Sequence, residues 1–380
     1  MIRSAALLAF FLCVPLLADE LEPVDPVATG SVDPAAETWL RVLYHAHSAL
    51  GTWTYGPGEA ASADPPMADS DIPRLLVRGK AAGFDAMVFT EHNTIAHYAR
   101  FRSREADPSR EALLLYGVEY SGKRGRGHAG LVYAPRADDD AIRPGRTDRI
   151  DVEEYRAAIA ATHDRGGFAV VNHPLNGLFP WPDESTLGAD AIEIFRPDPT
   201  SLARTLAWWQ DRLRVERRAI DPISGADYHP FVRGLDPAIL RGYANLVRVD
   251  ARTPDGVLEG LRHGRIVAYR HWPTQETGEL PVAWLAAGSD LSARIGDEVV
   301  VDEGSPVFQI HVQRAEGWRV RVFDETSAEP VAQFEPTSSD EVRAFRKTLP
   351  GEWGFVRVEI RRPVGYEQVA TGLVTFRRRD

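Results

Sequence analysis

Cysteine is nearly absent from the chain: Cys13 is the single cysteine among 380 residues. Because an intrachain disulfide needs two thiols, a disulfide framework is excluded. Basic side chains are also in the minority, with 44 Lys and Arg against 55 Asp and Glu and a formal net charge of −11. This acidic balance argues against a nucleic-acid binder, since such proteins gain much of their affinity by neutralising phosphates with basic residues.

The sequence also lacks the composition of a disordered chain. Hydrophobic residues make up 44% and charged residues 26%, which is the balance of a folded globular protein. At about 100 to 200 residues per domain, the length predicts two domains with enough chain to bury a core.

An apolar run stands at the N-terminus, from Ala5 to Leu17, after Arg3 and before Asp19 and Glu20. This order of basic, apolar and polar regions predicts a secretory signal peptide over residues 1–18 and export to the periplasm or the extracellular space. The run is too short to span a bilayer comfortably, so no stable membrane anchor is expected after cleavage. A buried N-terminal helix or an uncleaved anchor is the alternative.

Three regions follow this segment. Residues 19–38 are rich in Pro, Asp, Glu and Ala without a hydrophobic period, which predicts a flexible lead-in, with ordered structure beginning near Trp39. From 39 to 277, short apolar runs alternate with stretches of helical period, the pattern of a mostly parallel sheet, open or closed into a barrel. Residues 278–380 hold short alternating runs between turn clusters, which predicts a small antiparallel β-sandwich domain.

Eight residues of metal-ligand type stand at the ends of predicted strands in the middle region. They are His45, His47, His92, Glu119, His128, His173, Asp227 and His229. Residues i and i+2 of a strand project from one face, so the two pairs separated by one residue can each point at one centre. In a β/α barrel such strand ends meet at one mouth. Imidazole and carboxylate bind Zn, Mn and Fe, and eight ligands exceed the needs of one tetrahedral ion, so at least two divalent metals are predicted.

These residues lie in six ordered motifs that resemble those of the PHP (polymerase and histidinol phosphatase) family of metallohydrolases. The motifs are His45-x-His47, Thr90-Glu91-His92-Asn93, Gly117-Val118-Glu119, Gly127-His128, Asn172-His173-Pro174 and Asp227-Tyr228-His229, and the likeness covers residues 40 to about 270. In detail the chain is most similar to the secreted, carbaryl-hydrolase-like branch. The resemblance implies a distorted seven-stranded, TIM-like β/α barrel with two or three metals, and hydrolysis of phosphoesters in most members. It also implies that all eight residues are metal ligands and that Glu119 bridges two ions.

Two positions depart from the family pattern. The family usually has an Asp or His seven or eight residues after the first motif histidine, where this chain has Thr52 and Trp53, which leaves a third metal open. Glu59 or Asp64 could supply that ligand from the same loop. The usual Thr-Asp-His is Thr-Glu-His here, so Glu91 either orients a neighbour or touches a metal.

The expected reaction is attack of a metal-bridging hydroxide on a phosphoryl or acyl centre. In this hypothesis Glu119 is catalytic because it holds the ions together, while Asp227 or His229 moves a proton to the leaving group. The substrate is expected to be a small, anionic molecule.

Two loops beside the ligands hold candidate substrate contacts. Between the third and fourth motifs, Lys123, Arg124 and Arg126 could clamp an anionic group, with a solvated turn as the alternative. After the fifth motif, Phe179 and Trp181 could hold an aromatic leaving group, with a rigid proline-rich loop packed on a helix as the alternative.

The sequence therefore favours one function and leaves two others open. The favoured function is an exported PHP-type metal-dependent hydrolase of ester bonds, most of all a phosphoesterase. The second keeps the metals but cleaves a carboxyl or carbamate ester or an amide. The third is a non-catalytic, metal-containing binding protein. These patterns specify neither the choice among Zn, Mn and Fe nor the oligomeric state.

Overall fold

The computed structural model describes thirteen stretches of the chain. They are residues 21–26, 37–48, 71–93, 107–121, 127–133, 151–177, 180–196, 201–229, 242–270, 281–288, 291–302, 305–363 and 368–379. The predicted signal peptide lies outside them. Within them, no helix is long and apolar enough to cross a membrane.

Strands make up most of the regular structure in these stretches. Up to residue 270 they are β1 (Glu22–Val24), β2 (Trp39–Ala46), β3 (Ala86–His92), β4 (Leu113–Ser121), β5 (His128–Tyr133), β6 (Phe168–Asn172), β7 (Ala191–Phe195), β8 (Asp221–Tyr228), β9 (Tyr243–Arg248) and β10 (Ile266–Arg270). After residue 280 they are β11 (Val282–Ala287), β12 (Ala293–Arg294), β13 (Glu298–Val301), β14 (Val307–Gln313), β15 (Arg319–Asp324), β16 (Ala332–Phe334), β17 (Asp340–Arg346), β18 (Trp353–Arg361), β19 (Gln368–Thr371) and β20 (Val374–Arg378). The helices are α1 (Asp71–Ala81), α2 (Val152–Asp164), α3 (Leu202–Glu216) and α4 (Pro254–Arg262).

Strands β2 to β8 form a closed barrel of seven strands. Each strand pairs with the next along the chain, and β8 closes the ring by pairing with β2. β5 runs antiparallel to β4 and β6, whereas the other barrel pairs are parallel. Register shifts distort the ring where β2 meets β3 and β8, and where β7 meets β8. The prediction of a distorted seven-stranded β/α barrel is confirmed.

The barrel is filled by alternating apolar side chains. In β2, Leu40, Val42 and Tyr44 belong to the interior cluster, whereas Leu43 belongs to the layer outside it. Helix α4 packs on β4, β6 and β9, and its Leu261 joins the interior cluster. Because that cluster contains residues from the starts of several strands, α4 covers the mouth opposite the strand ends. The other mouth is left for polar residues.

Strands β9 and β10 carry the barrel sheet into the C-terminal region. β9 pairs with the first half of β2, β10 pairs with β9, and β19 pairs with β10. The C-terminal region has one sheet in the order β1, β17, β14, β11, β12, packed on a second that contains β13, β15, β16, β18, β19 and β20. All described pairs of these two sheets are antiparallel except β13 with β20. The two sheets have the arrangement of the predicted sandwich.

Residues 21–26, in the segment before Trp39, are more ordered than the sequence predicts. β1 pairs antiparallel with β17, and Leu21 beside it is buried. β1 lies at the edge of its sheet, where Pro23 can be accommodated although it lacks an N–H for the ladder. The expectation of a flexible lead-in is therefore wrong for residues 21–26, because composition alone does not register pairing with a strand more than 300 residues away.

Candidate metal centre

The eight predicted ligands lie at one mouth of the barrel. His45 and His47 are at the end of β2, His92 ends β3, Glu119 is near the end of β4, His128 begins β5, His173 follows β6, and Asp227 and His229 are at the end of β8. Since β5 is antiparallel to its neighbours, its first residue shares this mouth with the last residues of the other strands. The carboxyl ends of barrel strands are where β/α barrels build their active sites.

Glu119 is at the middle of this cluster. Its carboxylate is buried, and five imidazole nitrogens surround its two oxygens. At Oε1 these are His45 Nε2 (3.1 Å), His128 Nδ1 (2.7 Å) and His173 Nε2 (3.1 Å); at Oε2 they are His47 Nε2 (3.4 Å) and His92 Nδ1 (3.0 Å). The carboxylate thus lies between two sets of histidines.

Asp227 and His229 complete the cluster toward solvent. Asp227 Oδ1 lies 3.6 Å from Nε2 of His45 and of His47, and 3.4 Å from Nδ1 of His229. The side chains of Asp227 and His229 are 33% and 20% exposed, whereas the other six are buried. Asp227 is therefore an acid of the cluster that solvent or a bound molecule can reach.

The ligand atoms form four overlapping groups of three, and within each group they lie within 4.8 Å of one another. The groups are His45–Glu119–His173, His92–Glu119–His128, His45–His47–Asp227 and His47–His92–His229. Each of the eight residues belongs to at least one group, and Glu119 belongs to two. A carboxylate shared in this way is placed to bridge two cations.

Unpaired buried atoms test whether the residues fit metal ions. His45 Nε2, His47 Nε2 and Glu119 Oε2 are buried without a hydrogen-bond partner in the described part of the chain. A polar atom buried without a partner lowers the free energy of unfolding by about 1–3 kcal/mol. Several such atoms at one place therefore need a compensating contact. Divalent cations supply it, because neutral imidazole and carboxylate are their ordinary ligands. The donor set fits.

The cluster is strongly coupled electrostatically. Burial would raise the pKa of Glu119, but the neighbouring His45, His128 and His92 lower it well below its usual value. Burial would lower the pKa of His45, but the charges of Glu119 and Glu193 outweigh this and raise it to about 10. Burial lowers the pKa of His92 well below its usual value. Glu119 thus stays ionised and ready to bind a cation.

Three of the candidate ligands have unusual backbone conformations. His45, His173 and Asp227 have φ values of 61°, 30° and 42°. Residues other than glycine rarely adopt this left-handed region and do so mainly where surrounding contacts hold them, often at functional sites. The positions that aim the ligands are therefore the positions where the strands leave regular geometry.

Sequence reasoning missed the polar residues behind the ligands. Glu193 on β7 is buried, with Oε1 2.9 Å from His45 Nδ1. The Tyr44 hydroxyl donates to Asn172 Oδ1 (2.6 Å), and Asn172 Nδ2 donates to Glu119 Oε1 (3.3 Å). A single acid inside the apolar run of β7 was the available signal for Glu193. For Asn172 the sequence offered only its place in the Asn172-His173-Pro174 motif, which does not indicate its contact with Glu119.

A cavity of about 250 Å³ opens on the cluster. Its lining consists of His92, Glu119, His128, His173, Asp227, His229 and Asn176. Six of these seven belong to the predicted ligand set, so Asn176 adds a side-chain amide to a wall otherwise made of ligands. The cavity suits a small polar group rather than a long apolar one.

No protein-family model and no curated protein matches this chain. Among solved structures it is similar to a two-domain protein of Bacteroides vulgatus described as containing a predicted PHP-like metal-dependent phosphoesterase, with 16% identity, 90% of this chain and 93% of that chain covered, and a TM-score of 0.40. It is also similar to a predicted metal-dependent phosphoesterase of Bifidobacterium adolescentis, with 13% identity, coverage of 50% and 87%, and a TM-score of 0.32.

Two further predicted residues lie beside the cluster. Glu91 is buried; its Oε1 accepts from the Ser48 N–H (2.7 Å) and its Oε2 lies 3.7 Å from His47 Nδ1. It stands on the opposite side of the His47 ring from Glu119 and belongs to none of the four ligand groups, which is the position of an orienting residue. Trp181 is buried against Tyr155, with its indole N–H donating to the Ser185 carbonyl, and it does not line the cavity.

Several predicted contacts lie outside the described residues. They are Lys123, Arg124 and Arg126 of the basic loop, Phe179, and the positions Thr52, Trp53, Glu59 and Asp64 that bear on a third metal. The basic loop joins two described positions of the site. Ser121 Oγ lies 3.3 Å from His92 Nδ1, and Gly127 directly precedes His128.

Proposed function

We propose that this chain is an exported PHP-type metal-dependent hydrolase that acts as a phosphoesterase on a small anionic substrate. The observation that carries the proposal is the convergence of five histidine nitrogens on the buried carboxylate of Glu119 at the barrel mouth. The six ordered motifs support it. Export rests on the predicted signal peptide alone.

Two divalent ions, Zn, Mn or Fe, fit the ligand groups. His45, Glu119 and His173 would hold one, and His92, Glu119 and His128 the other. His47, Asp227 and His229 would complete their coordination. Divalent ions in such a site act as Lewis acids on a phosphoryl oxygen and lower the pKa of water.

The side chains around the cavity have distinct tasks in this proposal. Glu119 keeps the two ligand groups together. Asp227 and His229, the partly exposed members, would each bind an ion through one atom and move a proton toward the leaving group through the other, Asp227 Oδ2 or the second ring nitrogen of His229. Asn176 donates its amide to a substrate oxygen at the cavity wall. Lys123, Arg124 and Arg126 bind the anionic part of the substrate from the loop that begins after Ser121.

A substrate panel tests the reaction class. The purified chain lacking residues 1–18 is assayed on p-nitrophenyl phosphate, a bis-p-nitrophenyl phosphodiester and p-nitrophenyl carboxyl and carbamate esters, each with Zn²⁺, Mn²⁺ or EDTA. We expect metal-dependent turnover of a phosphoester that EDTA abolishes. Faster turnover of a carboxyl or carbamate ester would replace the phosphoesterase with the other hydrolase, and no turnover despite bound metal would favour a binding protein.

A further inference from the structure

Glu193 is a buried acid that contacts two ligand positions from behind. Its Oε1 lies 2.9 Å from Nδ1 of His45, and its Oε2 accepts a hydrogen bond of 2.6 Å from the backbone N–H of His173. It lies on β7, while the two ligands end β2 and follow β6. One carboxylate thereby joins the ends of two strands that do not pair with each other.

The neighbouring strand leaves room for this carboxylate. Gly225 lies on β8 next to β7, and a Cβ at that position would overlap the carboxylate of Glu193. Glycine inside a strand usually weakens it and often marks a close approach of another group. Gly225 is therefore explained by the space that Glu193 occupies, and a larger residue there would displace the acid.

The two contacts fall where the backbone needs support. His45 and His173 both have positive φ values, which persist in non-glycine residues mainly where neighbouring contacts hold them. Glu193 holds the ring of the first and the amide of the second. Loss of the carboxylate would release both ligands at once.

The contact also determines which nitrogen of His45 faces the cluster. A histidine that binds a cation through one ring nitrogen keeps its proton on the other, and His45 Nδ1 is the nitrogen that faces the Glu193 carboxylate. The lone pair is then on Nε2, which lies 3.1 Å from Glu119 Oε1 and 3.6 Å from Asp227 Oδ1. Nε2 is the nitrogen that a cation in the cluster would meet.

We propose that Glu193 is a positioning residue of the metal centre, which holds His45 with its Nε2 lone pair toward the cation and fixes the backbone of His173, with Gly225 leaving the necessary space. The inference rests on the proposed metal centre and assigns a role to a residue outside the ligand set. Partners of this kind behind a ligand histidine change metal affinity by about 10- to 100-fold when they are lost.

Zinc affinity tests the proposal. The full chain without residues 1–18 is freed of metal, and Zn²⁺ is titrated in competition with a coloured chelator. We expect Glu193→Gln to raise the Kd for Zn²⁺ about 10- to 100-fold, because glutamine has one acceptor oxygen for two donors. Gly225→Ala should raise it similarly, although residue 225 contributes no ligand atom. The matched control is Asp221→Asn, a buried acid on the same strand as Gly225 but six residues, or about 20 Å, before the candidate ligand Asp227, which should leave the Kd unchanged.

A second measurement needs no variant of Glu193. Long-range ¹H–¹⁵N spectra of the zinc-loaded chain with labelled histidine should show His45 protonated at Nδ1, with its signals assigned by their loss in His45→Asn. An Nε2–H tautomer would overturn the positioning role. The positioning role would also be overturned if the Glu193→Gln chain folds and binds zinc with unchanged affinity, and differs from wild type only in a lower melting temperature. A wild-type chain that binds no zinc would instead overturn the metal centre itself.

Discussion

At the scale of single residues, the site depends on one buried carboxylate and on what surrounds it. Glu119 stays ionised because the neighbouring histidines outweigh the effect of burial, which alone would raise its pKa. The histidines in turn are oriented by polar residues deeper in the barrel, such as Glu193 behind His45. The cluster is therefore a two-layer arrangement, in which, in our proposal, the outer layer binds the metal ions and the inner layer positions the outer one.

Asn176 is the residue we expect to affect substrate binding without affecting metal. It lines the cavity but belongs to none of the ligand groups. A hydrogen bond from an amide to a charged oxygen contributes about 1.5–3 kcal/mol, so Asn176→Ala should raise KM for a phosphomonoester roughly 10- to 100-fold. Elemental analysis should show the same metal content as wild type. An unchanged KM would remove Asn176 from the substrate site.

Asp221 gives a prediction about pH at the other end of the barrel. Burial, then the charge of Asp190, raises its pKa to about 7. Between about pH 4 and 7, Asp221 is protonated in the native state but ionised in the unfolded state. Its contribution to the free energy of unfolding is therefore fully present below about pH 4 and is lost as the pH rises through 7. Relative to wild type, Asp221→Asn should therefore gain stability from pH 5 to pH 8, by about 2 kcal/mol.

Urea unfolding of the two metal-free chains at pH 5 and pH 8 measures this difference. The titration of the metal cluster is common to both chains and cancels in the comparison. Equal pH dependence in the two chains would show that Asp221 has an ordinary pKa.

Sequence reasoning selected eight candidate ligands that the structure brings together, but it did not find the layer behind them, for a physical reason. Ligands stand at strand ends, where a histidine or an acid interrupts an apolar run and is visible without a structure. Glu193 lies inside such a run, and its partner His45 is 148 residues away in the sequence. Its role exists only once β7 is placed in the barrel wall, which no local pattern specifies.

At the scale of secondary structure, helix α3 connects the barrel to the C-terminal sheets. The Arg357 guanidinium of β18 lies over the rings of Trp209 and Phe323, at 4.2 and 4.0 Å from their centroids. Its Nε donates to Gln210 Oε1 (2.9 Å), and its Nη1 donates to Glu359 Oε1 (2.6 Å). A buried cation with these partners links α3, β15 and β18.

Replacing this cation should destabilise the protein strongly. Arg357→Met keeps much of the volume but leaves the carboxylate of Glu359, within the described part of the chain, with the longer ion pair to Arg321 at 3.4 Å. Breaking a buried pair in this way costs about 3–5 kcal/mol in the free energy of unfolding, which urea denaturation measures. The matched control is Arg319→Met, an exposed arginine paired with Glu335, which should cost less than about 1 kcal/mol. Similar losses in the free energy of unfolding in both variants would mean that buried Arg357 stabilises the protein no more than the exposed Arg319 does.

The elements themselves were largely predictable. The alternation of apolar runs with helical stretches predicted a mostly parallel sheet, open or closed, because strands covered on both faces are continuously apolar. Closure into a seven-stranded barrel was implied by the resemblance of the motifs. The reversed direction of β5 was not predicted, since strand direction depends on the connections and not on the residues within the strand. β1 was missed because it contains Pro23, and proline is compatible with a strand mainly at a sheet edge, a position that the local sequence does not reveal.

At the scale of the whole molecule, the barrel and the C-terminal sheets share structure. β10 pairs with β9 on one side and with β19 on the other, so one sheet crosses the boundary predicted at residues 277 and 278. Arg357 adds a second connection. We therefore expect the metal-free chain to unfold in one calorimetric transition. Two separate transitions would show that the regions fold independently.

Metal content is the most direct test of the central claim, that Glu119 organises a centre of two divalent ions. The metal-free chain is incubated with Zn²⁺ or Mn²⁺, freed of excess ion, and measured by elemental analysis beside two variants. We predict two ions per wild-type chain, loss of both in Glu119→Gln, and retention of both in Glu111→Gln, a buried acid before the start of β4. A wild-type chain that retains no ion, or a folded Glu119→Gln chain that retains both, would contradict the account.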